Sequence, residues 1–532
     1  MKHIFYNTGS IIGFILKKDK IKILIWIIAL IAYAVGFVPV FQGILDTSSN
    51  PQVLVDTMKN PAMIAMIGPV FVEDSYTIGS IYANYMMVFS ALIAGAMNIF
   101  IVSSNTRKDE ELGRTELLRA LPVGRLSNLS ASLIIAFFAN LILLLATAIG
   151  MYFISPDIYL KGAIIFSAGI YGYGFLFACI VSLLGEIFTN NRAVMGAGFF
   201  LLFLSYILRA VGDVSMEALS LVSPLGLVTR TENFVNDYIW PFWILLLEII
   251  LVALLSFFFA KNRDLGSGLI PERKGKSSAS VFLSGIKTFA FRINRSGFLI
   301  WALVIFIFSG MYGSVFGDLE NYINSSDLLK NMFNVQGVHS LTEQFISLLM
   351  VIMAIITTIP SLAFLHRIIS EEHKGLSEEI LTKPVSRYEY LFSFFIISIC
   401  TAFILQVLVA LGFWSVGRIY LENIPTLEIF IKAALLYVPA IWLMIGVSTF
   451  LIGITPRFAW LNYIFLCYNF VIVYLGDMLD FPDILGDLTP FGNVVSYPLE
   501  EITWGASILM TVLFILLSAA GFIGYRKRDL MN

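Results

Sequence analysis

The sequence predicts an all-α polytopic membrane protein of about twelve transmembrane helices, arranged as two parallel six-helix repeats with both termini in the cytoplasm. Three observations predict it. The 532 residues are 58% hydrophobic and 13% charged, more apolar surface than a soluble core hides. Apolar residues come in long runs, such as Ile23 to Phe41, able to cross a hydrocarbon layer of ~30 Å. Motifs of the first half also return, in order, in the second.

A backbone in lipid must satisfy its own hydrogen bonds, so apolar runs without strand-like alternation are read as helices. The spans centre near residues 31, 92, 142, 174, 202, 250, 307, 355, 402, 441, 467 and 514. The fifth and eleventh are short and tightly flanked. The first run is too long for a cleavable signal peptide and lacks a small-residue cleavage site, so it is expected to remain as the first span. An N-in orientation puts most of the 34 Lys and Arg on cytoplasmic segments, above all in the basic loop Lys261 to Arg295. The expected location is the bacterial cytoplasmic (plasma) membrane. Cys179, Cys400 and Cys467 fall inside spans and read as buried small apolar residues, not as disulfides or a metal site.

Five motif pairs define the repeat. Lys17-x-x-Lys20 with Ile25-Trp26 matches Arg292-x-x-Arg295 with Ile300-Trp301. Gly113-x-x-Glu116 before Pro122-Val123-x-Arg125 matches Gly375-x-x-Glu378 before Pro384-Val385-x-Arg387. Arg192 matches Arg457, Ser223-Pro224-Leu225-Gly226 matches Thr489-Pro490-Phe491-Gly492, and Arg263-Asp264-Leu265 matches Arg528-Asp529-Leu530. Six spans is an even number, so both copies insert the same way up. The expected division is a first half at 1–265, a cytoplasmic linker at 266–280 and a second half at 281–532. The Gly and Ser of Leu265-Gly266-Ser267-Gly268 and of Lys276-Ser277-Ser278 read as flexible.

The loop after the second span, Arg107 to Arg125, combines helix formers, a Glu110/Arg114 pair at i,i+4 and a helix-stopping proline. Leu117, Leu118 and Leu121 make a small apolar stripe, with Leu376, Ile380 and Leu381 in that role in the second copy, Arg367 to Arg387. A short amphipathic helix of this kind either lies solvated at the interface or lays its apolar face in a partner's groove. Basic amphipathic stretches also precede spans one and seven, at His3 to Lys20 and Val281 to Arg295.

The pattern acid-acid-x-x-Gly-x-x-Glu-x-Leu/Ile-x-x-x-Pro-Val-x-Arg after the second span resembles the coupling-helix loop of ABC type-2 permeases. The duplication, the seam Arg263 to Leu269 and the Ser223 to Gly226 segment resemble the polyketide-antibiotic, tetronasin-resistance type of exporter. This resemblance implies the permease subunit of an ATP-driven exporter of hydrophobic or amphipathic, antibiotic-like compounds. It implies ATPase-coupling roles for Glu110, Glu111, Gly113, Glu116, Leu117, Leu118, Pro122 and Arg125, and for Glu371, Glu372, Gly375, Glu378, Ile380, Pro384 and Arg387. It also implies elbow helices at the two basic stretches. The second loop departs from the first in His373-Lys374 and in Leu376, which replaces Arg114, so weaker docking is expected there.

No Gly-x-x-x-x-Gly-Lys-Ser/Thr occurs, so ATP and Mg are expected on a separate ABC ATPase, two copies per chain and most simply a homodimer. The chain itself is expected to bind no cofactor, to be no enzyme, and to partner the lipid bilayer and a small amphipathic substrate but no nucleic acid. A proton- or ion-coupled secondary drug transporter is the alternative. It would ordinarily carry charges inside its spans, where Glu248 is the main exception here. A membrane enzyme would need a constellation that four histidines hardly supply. Asp477, Asp480, Asp483 and Asp487 have spacing for a hard cation, though such a run is more often a solvated loop. Candidate substrate-path residues are Asn84, Tyr85, Asn98, Tyr206, Glu248, Tyr468 and Asn469; each also suits helix packing.

Overall fold

A computed structural model of the chain describes residues 4–47, 58–59, 61–71, 77–270, 278, 283, 285–314, 316, 341–421, 424–475 and 482–529. Two compact units divide it, one on Met1–Gly275, the other on Lys276–Asn324 with Leu329–Asn532. All regular structure among the described residues is helical.

The first unit contains α1 (Thr8–Gly36), α2 (Val38–Thr47), α3 (Pro61–Ile67), α4 (Ile78–Asn105), α5 (Arg107–Glu111) and α6 (Arg114–Arg119). It continues with α7 (Ser127–Ile154), α8 (Leu160–Ile187), α9 (Asn191–Ser215), α10 (Glu217–Val222), α11 (Pro224–Thr229) and α12 (Trp240–Asn262). The second contains α13 (Ile286–Ser314), α14 (Leu341–His373), α15 (Leu376–Leu381), α16 (Arg387–Tyr420) and α17 (Leu427–Leu435). Then come α18 (Val438–Ile454), α19 (Leu461–Leu475), α20 (Asp483–Asp487) and α21 (Gly505–Lys527).

Eleven helical segments among the described residues are long and apolar enough to cross a membrane, with α17 and α18 joined as one. The chain is thus an all-α, multi-pass membrane protein. The eleventh expected span corresponds to α19, whose described length is 15 residues. Local chemistry sets several helix starts. Thr77 and Ser80 form a capping box on α4, and Asn190 and Ser386 accept the N–H groups of Ala193 and Glu389 at the starts of α9 and α16.

Small residues let the helices pack closely, as expected where lipid supplies no hydrophobic drive between them. A Cβ on Gly453 would lie 2.0 Å from the Gly521 carbonyl oxygen, and one on Gly521 2.4 Å from that of Thr449, so α18 and α21 touch backbone to backbone. In the first unit Ser182 of α8 instead donates to Ser256 of α12 at 2.8 Å.

The expected elbow helices are not separate elements. Nothing between Thr8 and Gly36 breaks the helix, and α1 runs 29 residues from basic stretch into span; α13 does the same from Ile286. Cys179 is buried as expected, but Cys400 and Cys467 lie on outward helix faces, where lipid is as apolar as a core; all three are free. Among the described residues no group of three His, Cys, Asp or Glu is placed to hold a metal. Asp477 and Asp480 lie outside the described residues.

Candidate functional site

Two surface hairpins share one backbone design. In the first, Gly113 sits at φ 72° between α5 and α6, a left-handed conformation natural to glycine, and its N–H donates to Glu110 O at 3.0 Å. In the second, Gly375 sits at φ 71° between α14 and α15, with its N–H on Glu372 O at 2.9 Å. Each short helix closes the same way: Ala120 N–H reaches Glu116 O at 3.1 Å, and Thr382 N–H reaches Glu378 O at 3.0 Å. Pro122 and Pro384 follow and end the turn.

Both hairpins are clamped to the end of their unit's last helix, where the Arg-Asp-Leu repeat lies. Arg263 grips both Glu110 oxygens at 2.8 and 2.9 Å and Glu186 at 2.5 Å, and Gly266 N–H adds a bond to Glu110 at 2.7 Å. Burial would lower the basicity of the Arg263 guanidinium, but Glu110 and Glu186 outweigh it and hold its pKa above the ordinary value. In the second unit Arg528 grips Glu372 at 2.7 and 2.8 Å, and Tyr525 donates to the same carboxylate at 2.9 Å. Arg528 Nε binds the Ile452 carbonyl oxygen at 3.0 Å, where the first unit has the Glu186 side chain. The Pro-Val-x-Arg arginines close the same loop: Arg125 donates to Arg263 O at 2.6 Å, and Arg387 to Arg528 O at 2.5 Å.

Glu110, Glu372, Arg125 and Arg387 therefore hold the hairpins in shape. The expected Glu110/Arg114 pair does not form; Arg114 binds Asp109 at 3.0 Å, and Lys18 of α1 holds the same carboxylate at 2.5 Å. Glu111 accepts from the N–H of Asn191, and Glu371 pairs with Arg367 at 3.4 Å. Glu116 and Glu378 are exposed. Of the apolar stripes, Leu117 is 74% exposed and Leu118 half-buried. In the second hairpin Leu376 is exposed, whereas Ile380 and Leu381 pack against the core of their unit. The residues read as a loose linker begin tightly held: Leu269 and Ile270 donate to the carbonyls of Glu186 and Ile187, and buried Arg107 binds those of Ser267 and Gly266.

The expected path residues are described by the contacts each makes within its own unit. Asn98 and Asn140 pair reciprocally at 3.1 and 2.8 Å beside Gly174, a buried packing contact between α4 and α7. Tyr85 packs against Phe41 with the rings tilted at 49°, and Tyr468 donates to Leu485 O at 2.8 Å. Asn469 is buried and donates to Phe465 O at 2.6 Å. Glu248 is half-buried in α12, with Oε2 buried and unbonded. Asn84 and Tyr206 both reach the α3 region, donating to Pro69 O at 2.8 Å and Met66 O at 3.4 Å. Sequence reasoning missed the buried Arg209 of α9, which binds Asp213 and caps α3 through the carbonyls of Ile64, Ala65 and Met66. Arg209 and Asp213, an i,i+4 pair at the end of an apolar run, were the available signal.

Comparison with known proteins matches residues 9–156 and 283–526 to the family model "Multidrug efflux system permease Rv1217c, C-terminal domain". The multidrug efflux system permease protein Rv1217c of Mycobacterium tuberculosis (strain ATCC 25618 / H37Rv) is 25% identical over 533 residues, covering 99% of this chain and 95% of the relative. The chain belongs to this permease family.

Proposed function

From that membership we propose that the chain is the membrane permease of an ATP-driven exporter, moving hydrophobic or amphipathic drug-like compounds outward with energy from a separate ABC ATPase. The observation that carries this reading is the pair of clamped hairpins. Each is a short helix on a left-handed glycine, held by an arginine at the end of its unit's last span. A force applied to such a hairpin passes to a spanning helix through charge-assisted bonds, stiffer than neutral ones. The N-in topology puts both hairpins in the cytoplasm, and two hairpins call for two ATPase subunits. Membership of the tetronasin-resistance type of exporter extends the same reading.

The test is co-expression with the candidate ATPase. One chain should co-purify with two ATPase subunits, and the chain alone in proteoliposomes should hydrolyse no ATP. Export by the chain alone, driven by an imposed proton gradient, would refute the reading in favour of a secondary transporter.

A further inference from the structure

We propose that the first unit carries a binding site for the protonated amine end of an amphipathic compound, in the cavity between α3, the start of α4 and the 229–235 segment. The site deepens the export reading by naming a cargo class. In the N-in topology this cavity lies on the extracytoplasmic side, where an exported molecule leaves.

The cavity wall is apolar and adaptable, with Ile67, Val70, Ile81 and the polarisable Met87 among its residues. Its polar side chains offer acceptors. Each donating side-chain group on the wall already has an internal acceptor. Ser80 Oγ donates to Thr77 O at 2.8 Å, Thr229 Oγ1 to Gly226 O at 2.9 Å, and Asn84 Nδ2 to Pro69 O at 2.8 Å. Asn233 Nδ2 donates to Thr231 Oγ1 at 2.7 Å and to Met87 Sδ at 3.3 Å. These contacts fix the amide orientations, because Pro69 O only accepts and the Thr231 hydroxyl hydrogen is committed to Val228 O.

What remains are the Oδ1 atoms of Asn84 and Asn233, both buried and without a partner; Glu232, whose carboxylate accepts from Asn236 at 2.5 Å, also lines the cavity. Asn233 is 6% exposed, so its orphaned acceptor is costly unless something donates to it. With about 30 Å³ of space the cavity admits an ammonium head but not a ring, and two neutral acceptors with Glu232 beside them suit an N–H cation there.

The segment is also held in a conformation that packing must enforce. Glu232, Phe234 and Asp237 have φ of 48°, 60° and 52°, all left-handed and none glycine. Phe234 is wedged where a Cβ on Gly79 or Gly162 would strike its ring at 2.7 or 2.4 Å. Asp237 accepts from Phe234 N–H and Tyr159 OH. Such strain keeps Glu232 and Asn233 on the cavity wall before a ligand arrives. Among the described residues of the second unit, buried Ile346 stands at the place of Asn84.

The test uses the purified full chain in lipid nanodiscs, with empty nanodiscs as the blank and calorimetry as the readout. Benzylammonium is the probe; benzyltrimethylammonium, with the same charge and ring but no N–H, is its control. Benzylammonium should bind saturably, at least tenfold tighter than the control. Asn233→Leu should weaken it about tenfold. Glu232→Gln, which keeps an acceptor for Asn236, should weaken it severalfold even if the leucine variant misfolds. Equal binding of the two probes, no saturable binding, or affinity unchanged in Glu232→Gln would overturn the proposal. Binding needs no ATPase, so its failure alongside ATP-driven export removes only this site. Intact binding with proton-driven export removes the ATP reading instead.

Discussion

Replacing Arg263 with methionine tests whether the clamp holds the first hairpin. Arg263 is 8% exposed in its side chain, Glu110 9% and Glu186 8%, so these are buried charges. Glu110 keeps two partners without Arg263, namely Gly266 N–H at 2.7 Å and Arg107 at 3.1 Å. The Glu186 carboxylate loses its 2.5 Å ion pair and is left buried. Removing one member of a buried pair costs about 3–5 kcal/mol. At about 1.4 kcal/mol per decade, local opening of the hairpin should rise by roughly two to four orders of magnitude. Hydrogen exchange of residues 107–125 reads this directly, while the spanning helices stay protected. Arg263→Met with Glu186→Gln removes the stranded charge and should recover at least one order. Exchange unchanged in the single variant, or no recovery in the double, would refute the argument. The same change at Arg528 should loosen residues 371–387, because Glu372 has 0% side-chain exposure.

Leu117→Asp with Leu118→Asp should abolish ATPase stimulation while leaving membrane insertion intact, since Leu117 stands free of the core; full stimulation in that variant would exclude the first hairpin from docking. Leu376→Asp is the clean counterpart in the second hairpin, because Ile380→Asp would also disturb the core against which Ile380 packs. Glu248→Leu should be neutral or stabilising by about 1–3 kcal/mol, since buried Oε2 has no hydrogen bond to lose; a fall in melting temperature would reveal a tie to a neighbouring span. Gly453→Ala should lower the melting temperature by overpacking worth at least about 1–3 kcal/mol, because its Cβ would lie 2.0 Å from Gly521 O.

Hydropathy alone was enough for the helices, because lipid leaves a spanning backbone few options. The helix-stopping proline was also legible, since it answers to local geometry, whereas the repeat marked Gly113 and Gly375 without giving their left-handed backbone. Partners were not. Glu110 and Arg263 are 153 residues apart, and the motif repeat marked both arginines without saying what they hold. Arg209 was hidden because three charges barely move the mean over a 25-residue helix. The elbow helices were overread because a change from basic to apolar composition does not break a helix; that takes a proline, a bulge or an inserted group. Asn233 carries no motif at all, and its orphaned oxygen exists only once the 229–235 segment is folded.

The hairpins share a backbone but not a surface, and this bears on the proposed ATPase docking. Leu112, Leu117 and Leu121 are exposed on the first. The equivalent positions on the second are Lys374, Glu379 and Lys383, also exposed, and Leu376 replaces Arg114. An apolar groove that accepts three leucines would strip water from three charges without replacing it, which is costly unless each charge is paired. Two identical ATPase subunits therefore cannot fit both hairpins equally well. Docking at the first should rest on apolar burial and resist salt, whereas docking at the second should rest on charge and be screened as the Debye length falls from ~10 Å at 0.1 M salt to ~3 Å at 1 M. The co-purified complex should fall from two ATPase subunits per chain to one on raising salt across that range, and Leu117→Asp with Leu118→Asp should remove the survivor. A complex that keeps both subunits at 1 M salt would show that the second hairpin docks through Leu376 and its neighbours, with its charges left in solvent.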